Sequence, residues 1–255
     1  MRCPNCNAEI SPDEVKCPSC GAKIGEEIIE RLLPILKRPL EEPASPLPIY
    51  YKFLTSIIKP SIVFGNIAIS PDPIAPFVMV LLNAILSTVY FSFVLNNVFF
   101  MDTLSLLIFR AMFAPLSIEL FYFNFLFTLL ELILISFLYW LPFKLLGRGS
   151  SFKSFFSMAG YAYILVVIGQ IFSIIVSSGN VTLIPEMPLL LQLLVFQFRL
   201  YSVWIFGRAV KLVCLLGMAF LLTPGIRKLT KLSTGLSLAS SYAIIFIAIF
   251  FLAKI

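Results

Sequence analysis

Residues 74–100, IAPFVMVLLNAILSTVYFSFVLNNVFF, contain no Asp, Glu, Lys or Arg. A helix needs about 20 predominantly apolar residues to cross a bilayer, so this stretch predicts a membrane span. Asp72 stands where it can cap the helix N-terminus, and Pro73 suits a first turn, where its missing N–H costs little. Four more stretches read the same way: about 118–141, ending in Tyr139 and Trp140 at interfacial depth, then 155–177, begun by Ser150 and Ser151, then 189–222 and 236–253. The fourth has 34 residues and is interrupted by Arg199, Arg208 and Lys211. As a helix it would measure about 51 Å against a hydrocarbon core of about 30 Å. One long tilted helix is expected, crossing the membrane nearest 201–222 with its basic residues at a protein interface or snorkelling. A break near Gly207 is the alternative.

Composition agrees. AVILMFWYC residues make up 60% of the chain, with 26 Phe, and the mean hydropathy is +0.99. Ordinary soluble domains hold roughly 45–50% apolar residues even with glycine counted.

Ahead of the spans stand two short turns, Cys3-Pro4-Asn5-Cys6 and Cys17-Pro18-Ser19-Cys20, separated by ten residues. Structural zinc takes four deprotonated ligands in a tetrahedron, and a Cys-x-x-Cys turn brings two sulfurs onto one ion. The spacer is shorter than the usual guide of about 15–20 residues, so a minimal ribbon is expected. Gly21, directly after Cys20, permits a tight left-handed turn. The chain has no His, which excludes a mixed Cys/His site. Disulfides or free thiols are the competing reading, but disulfide frameworks belong to small secreted domains, and no signal peptide stands ahead of Cys3. Cys3, Cys6, Cys17 and Cys20 are therefore assigned to one structural zinc ion. With four sulfurs bound, no position is left for catalysis. A domain this small has no sufficient core, so the metal supplies its folding free energy. Cys214, in an apolar run, reads as packing. The fold class is an all-α membrane protein, a five-helix transmembrane bundle with a small N-terminal zinc ribbon.

The expected organisation is a ribbon at 1–25, a short helix and Pro-rich linker at 26–48, and a membrane domain at 49–255. Glu26 to Arg38 reads as a helix kinked at Pro34, and Glu41 to Pro48 as the linker. In 49–59, Lys52, Thr55, Ser56 and Lys59 form a polar stripe opposite Tyr50, Phe53, Leu54, Ile57 and Ile58. That pattern predicts an interfacial helix with its lysines toward anionic headgroups. A short helix is expected over 102–114.

Charge sets orientation. Residues 1–25 carry three basic and three acidic groups, residues 26–60 five of each, and the remainder eleven and five, so the net +6 lies in the membrane part. Lys144, Arg148 and Lys153 mark the loop after the second span, and Arg227, Lys228 and Lys231 the loop after the fourth. The loop between the third and fourth spans carries Glu186 instead, and only Arg110 dissents. Positive charge concentrates in cytoplasmic loops, which predicts a cytoplasmic N-terminus and an outside C-terminus. The cysteines then sit in a reducing compartment.

Catalytic groups are sparse. There is no His, and the only aspartates, Asp13, Asp72 and Asp102, lie outside the spans. Gly147-Arg148-Gly149-Ser150-Ser151 lacks the Walker lysine spacing and a preceding strand. Glu131, inside the second span, is costly to bury; Arg208 and Lys211 are candidate partners, with Arg199 a third. Small residues at Ala239, Ser240, Ser241 and Ala243, and Gly160 and Gly169 on the third span, suit helix packing within the bundle or in a homo-oligomer.

The membrane half resembles the Yip-domain family, multi-pass proteins named in eukaryotes for interacting with Ypt/Rab GTPases. The resemblance is carried by Lys59-Pro60-Ser61-Ile62-Val63-Phe64-Gly65-Asn66-Ile67, Ser70-Pro71-Asp72-Pro73, the loop from Lys144 to Lys153 leading into Ala159-Gly160-Tyr161-Ala162, and Trp204. It covers roughly 50–255. The Asp-Leu-Tyr-Gly-Pro signature of the eukaryotic members is missing, and Ile164 stands where a proline often follows the Gly-Tyr pair, so the chain looks like a prokaryotic-style member. The expectation is a non-enzymatic adaptor that organises membranes or recruits a protein partner through the ribbon. The alternative is a small transporter or channel built on Glu131 and the basic fourth span. The charge balance of the head argues against nucleic acid as a partner, leaving the lipid bilayer and an unidentified protein.

Overall fold

The computed structural model describes residues 3, 5–10, 16–22, 28–36, 47–96, 98–100, 116–147, 151–178, 182–184 and 189–252. The expected helix at 102–114, most of the Pro-rich linker, Arg110, Arg148 and Glu186 lie outside them, as does the side chain of Arg199. The described chain is almost entirely helical: α1 (Ile28–Leu32), α2 (Ile49–Thr55), α3 (Pro60–Ile69), α4 (Ile74–Asn96), α5 (Leu116–Leu145), α6 (Phe152–Ala162), α7 (Ile164–Ser178), α8 (Leu189–Thr230) and α9 (Thr234–Leu252). Two three-residue strands, β1 (Val98–Phe100) and β2 (Thr182–Ile184), pair in parallel with Val98 opposite Thr182. Among the described residues, five segments are long and apolar enough to cross a membrane: Ile74–Val94, Ile118–Leu145, Phe152–Ser177, Leu194–Thr230 and Thr234–Phe251.

Boundaries shift for identifiable reasons. α4 stops at Asn96, and Val98 to Phe100 leave the expected first span as strand; Asn competes with the helix for backbone hydrogen bonds, whereas Val and Phe favour extended pairing. α5 continues through Pro142 to Leu145 and closes at Gly147, whose φ of 67° is the left-handed stop that glycine allows. The third span divides at Tyr163 into α6 and α7. α1 ends before Pro34, where a single 3₁₀ turn (Pro34–Leu36) replaces the expected kink. α8 is one helix of 42 residues, about 63 Å long at 1.5 Å per residue. It runs past residue 222 and through Pro224, so Arg227 and Lys228 occupy its last turn and not a loop.

The chain divides into two compact units. The first comprises Met1–Phe77, Glu131–Ile164 and Leu216–Ile255. Here α3, a helix with Pro60 at its start, packs on α6. Phe143 stacks on Phe155 with ring centroids 6.1 Å apart. The Tyr139 hydroxyl donates to the Ser241 carbonyl at 2.9 Å, and Ser241 Oγ donates to the Ala219 carbonyl, linking α5, α9 and α8. Asp72 does what its position predicts: its Oδ1 accepts from the Ile74 N–H at 2.9 Å, while its Oδ2 accepts from the Tyr161 hydroxyl at 3.0 Å.

Part of the polar stripe over 49–59 faces the protein, contrary to expectation, although Lys59 is exposed and Phe53 packs on Tyr161 with ring centroids 4.7 Å apart. Lys52 is 3% exposed and Ser56 fully buried, while Tyr50 and Ile58 are each 69% exposed. The Lys52 ammonium lies 5.9 Å from the Tyr161 ring centroid. Burial lowers the Lys52 pKa, and the Asp72 charge offsets part of that loss. Lys52 and Ser56 thus lie on the protein-facing side, where the cation finds a ring and a carboxylate, while Tyr50 and Ile58 point outward.

The second unit comprises Val78–Leu130 and Leu165–Leu215. Asn83 Nδ2 donates to Thr128 Oγ1 at 2.9 Å between α4 and α5, and the Tyr90 hydroxyl donates to the Val203 carbonyl at 3.1 Å between α4 and α8. A Cβ on Gly169 would run into Cys214 Sγ, so the fifth cysteine packs in the α7–α8 contact, in line with the packing role read from its apolar neighbours.

Candidate metal centre and its connector

The two knuckles are copies of one turn. Residues 3–8 read CPNCNA and residues 17–22 CPSCGA. In each, the first cysteine's N–H donates to the alanine carbonyl five residues on, at 2.9 Å. In each, the N–H four residues on donates back to that cysteine's carbonyl: Asn7 to Cys3 at 3.0 Å and Gly21 to Cys17 at 2.9 Å. Asn7 and Gly21 hold this equivalent position with φ of 57° and 70°. That left-handed geometry is free for Gly and tolerated by Asn, which explains one of the two differences between the copies; the other is Asn5 against Ser19.

The turns deliver four sulfurs to one point. Cys3 Sγ lies 3.6 Å from Cys20 Sγ, and Cys6 Sγ lies 3.5 Å from Cys17 Sγ. All four fall within 4.8 Å of one another. A tetrahedron with Zn–S bonds of ~2.3 Å has S···S edges of about 3.8 Å, so the quartet fits one zinc ion. A disulfide needs about 2.05 Å, and all four thiols are free.

Backbone donors tune the set. The Asn5 N–H, 3.4 Å from Cys3 Sγ, is the main cause of that thiol's lowered pKa. Burial opposes ionisation of Cys17, but the N–H groups of Cys20 and Ser19 outweigh it and bring the thiol to about 6. At Cys6 the Ala8 N–H pulls downward, yet the adjacent Cys20 and Cys17 sulfurs together push the thiol up to about 12. Four thiolates this close require a dication to deprotonate together. Among the described residues, Ile10 joins Cys3 and Cys17 in a buried cluster, flanked by Ala8 and Ala22. A core of that size leaves the metal to hold the fold.

Behind the ribbon, α1 and the following turn form a docked connector. Arg227 Nη1 lies 3.0 Å from Glu30 Oε1, with side-chain exposures of 4% and 0%. The same nitrogen donates to the Leu36 carbonyl and to Thr234 Oγ1, each at 3.0 Å, and the Thr234 hydroxyl donates to Glu30 Oε1. Ser61 Oγ donates to the Ile35 carbonyl at 3.0 Å. Nothing in the sequence marked this pair. Glu30 lay unremarked within the helix expected over Glu26 to Arg38, and Arg227 read as a loop charge.

Glu131 is 1% exposed, and the Tyr163 hydroxyl donates to its Oε2 at 3.2 Å. Tyr163 was not among the partners expected. Of those that were, the Arg208 guanidinium lies 3.9 Å over the Trp204 ring and the Lys211 ammonium 5.7 Å from the Phe127 ring.

A four-thiol zinc site ahead of five membrane-length apolar helices defines a multi-pass integral membrane protein with a zinc-ribbon head. The comparison with protein families agrees on the head: residues 2–24 match the zinc-ribbon domain. No curated protein and no solved structure matches the chain.

Proposed function

We propose that the protein is a non-enzymatic adaptor whose ribbon recruits a protein partner to the membrane, with a membrane half of Yip-like type. The observation that carries the reading is the saturated zinc quartet on a connector fixed by Glu30 and Arg227. Four sulfur ligands leave no open coordination position for substrate, so the head is a binding module. The connector ties it to the membrane domain through Glu30 and Arg227. The resemblance in the Lys59–Ile67 and Lys144–Ala162 stretches supports the Yip-like assignment, without extending to small-GTPase binding. The head faces the cytoplasm in this reading, because Glu30 joins it to the end of α8 that carries Lys228 and is followed by Lys231.

The test is co-purification from the native membrane of wild-type protein, a Cys17→Ser/Cys20→Ser variant, and Arg227→Met. A partner retained by wild type and lost when the ribbon cannot bind zinc supports the adaptor reading. The same partner set on all three proteins sinks it. Orientation is checked by modifying Cys6 in sealed, right-side-out vesicles: labelling by an impermeant thiol reagent without permeabilisation overturns the cytoplasmic assignment.

A second reading, a proton or ion pathway, rests on the buried Glu131 and its Tyr163 hydroxyl. Flux into vesicles that is equal for wild type and Glu131→Gln, or absent in both, removes it.

A further inference from the structure

The second unit contains a cavity of about 560 Å³ between α4, α5, α7 and α8, within the 300–1,000 Å³ range of small-molecule sites. Phe91, Val94 and Leu120 belong to its apolar wall. Its polar lining includes three carboxamides from three helices: Asn124 of α5, Gln170 of α7 and Gln197 of α8. Each lies in a membrane-length segment. Asn124 stands six residues in from Ile118 and Gln170 seven in from Ser177, about 9–11 Å from those span ends at 1.5 Å per residue. None of the three side chains has a hydrogen-bond partner among the described residues. A polar group left unpaired in hydrocarbon is costly. Three of them on one cavity point to a ligand that pairs with them.

We propose that this cavity binds an uncharged lipid with a hydroxyl-bearing head, its hydroxyls on Asn124, Gln170 and Gln197 and its hydrocarbon chain along Phe91, Val94 and Leu120. A carboxamide both donates and accepts hydrogen bonds, as a hydroxyl does, so the match needs no charge on either side. The two cations of the lining are turned to rings. The Arg208 guanidinium lies 3.9 Å over Trp204, and the Lys211 ammonium lies 5.7 Å from the ring of Phe127, which is not a lining residue. Neither cation is assigned to the ligand. Depth argues for a lipid over a soluble polyol. A bilayer of about 40–45 Å with a core of about 30 Å has headgroup layers of roughly 5–8 Å. Asn124 and Gln170 lie just beneath such a layer, where a lipid carries its glycerol hydroxyls and ester carbonyls above its chains. The inference does not depend on what the ribbon binds.

The chain holds two tryptophans, so Trp140→Phe leaves Trp204, in the cavity wall, as the sole fluorophore. The full-length protein with that substitution is placed in phosphatidylcholine nanodiscs, and 9,10-dibromostearoyl glycerol or methyl 9,10-dibromostearate is added in increasing amounts. The two probes share one quenching chain and differ in their hydroxyls. Two or three hydrogen bonds of the strength measured between membrane helices correspond to roughly an eight- to twenty-fold preference for the glycerol probe. That preference is expected to fall to about one in Asn124→Leu/Gln170→Leu/Gln197→Leu, while quenching by the methyl ester persists and shows the cavity intact. Where the triple variant does not fold, Gln170→Leu and Gln197→Leu carry the test singly; each is expected to lower the preference about three-fold, and no change in either refutes the assignment. Equal quenching by the two probes in the Trp140→Phe protein overturns the proposal, as does a preference unchanged in the triple Leu variant. Displacement of the glycerol probe by excess free glycerol identifies a soluble polyol as the ligand and overturns the lipid assignment. Stronger quenching by dibromostearoyl lysophosphatidate, which has the same chain and a phosphate, identifies an anion and overturns the uncharged one.

Discussion

Arg227→Met tests whether the connector is held by one buried ion pair. The substitution keeps the aliphatic bulk but removes, at a stroke, the nitrogen that donates to Glu30 Oε1, the Leu36 carbonyl and Thr234 Oγ1. Glu30 stays buried and retains the Thr234 hydroxyl. Breaking a buried pair by deleting one partner costs about 3–5 kcal/mol, and these groups are as enclosed as that figure assumes. α1 has five residues, far too short to persist as an isolated helix. The cost should therefore appear as undocking of residues 28–36 before any loss of the spans, a shift of roughly 100- to 4,000-fold in the docking equilibrium, at 1.4 kcal/mol per tenfold. Hydrogen exchange in nanodiscs reads it at the Leu33 N–H, bonded to the Ile29 carbonyl, and the Leu36 N–H, bonded to the Leu33 carbonyl. Protection there is expected to collapse in Arg227→Met, with protection in α5 and α9 unchanged. Glu30→Leu combined with Arg227→Met should recover most of it, since replacing a whole buried pair by apolar residues is often neutral. Exchange across 28–36 within about three-fold of wild type in the single variant would refute the reasoning and leave docking to apolar contacts such as Leu36.

Other outcomes follow from the same geometry. Purified protein should contain one zinc per chain; chelation or acidification should release it and expose residues 3–22 to protease without loss of helical circular dichroism from the spans, because protons compete for the sulfurs and the metal holds the ribbon. Gly160→Ala should destabilise the first unit by about 1–3 kcal/mol in thermal unfolding, since its Cβ would lie 2.6 Å from the Pro76 Cα, backbone that cannot yield like a flexible side chain. Tyr163→Phe should cost about 1.5–3 kcal/mol by removing a donor from a buried carboxylate; a thermal midpoint equal to wild type would show that Glu131 does not depend on it. Asp72→Ala should cost about 0.5–2 kcal/mol for the lost cap of α4, with protection lost first in the opening turn of that helix.

The features legible in the sequence are those that one dimension determines. A Cys-x-x-Cys turn carries its own ligand geometry, so the quartet needed no knowledge of the rest of the fold. A span is fixed by length and polarity, so five apolar stretches correspond to five apolar helices, with ends displaced by local chemistry at Asn96, Pro142 and Pro224. Faces and partners are different, because they depend on what a neighbouring element presents. Lys52 and Ser56 obey helical spacing either way round; only the arrival of Tyr161 and Asp72 makes their side the buried one. Tyr163 has no local mark that pairs it with Glu131, 32 residues earlier.

Arg227 shows how such an omission propagates. Counted as a loop cation, it contributed a third of the positive charge assigned after the fourth span. In the structure it is a buried residue in the last turn of α8, paired with Glu30, so Lys228 in that same turn and Lys231 just after it carry the remaining positive charge at this end of the helix. The charge argument loses a residue, but the pairing supplies a stronger constraint. A salt bridge of 3.0 Å requires the connector and the α8–α9 turn to lie at the same end of the first unit. Asp72, whose N–H donates to Ser157 Oγ at 3.0 Å, brings the start of α4 to the start of α6 in the same unit. A chain crossing the membrane at each span returns to one side after every second crossing, and both contacts join segments separated by an even number of crossings, two from α4 to α6 and four from α1 to the α8–α9 turn. Contact parity thus agrees with four crossings ahead of the α8–α9 turn, and does so through a residue that the charge count had placed in a loop.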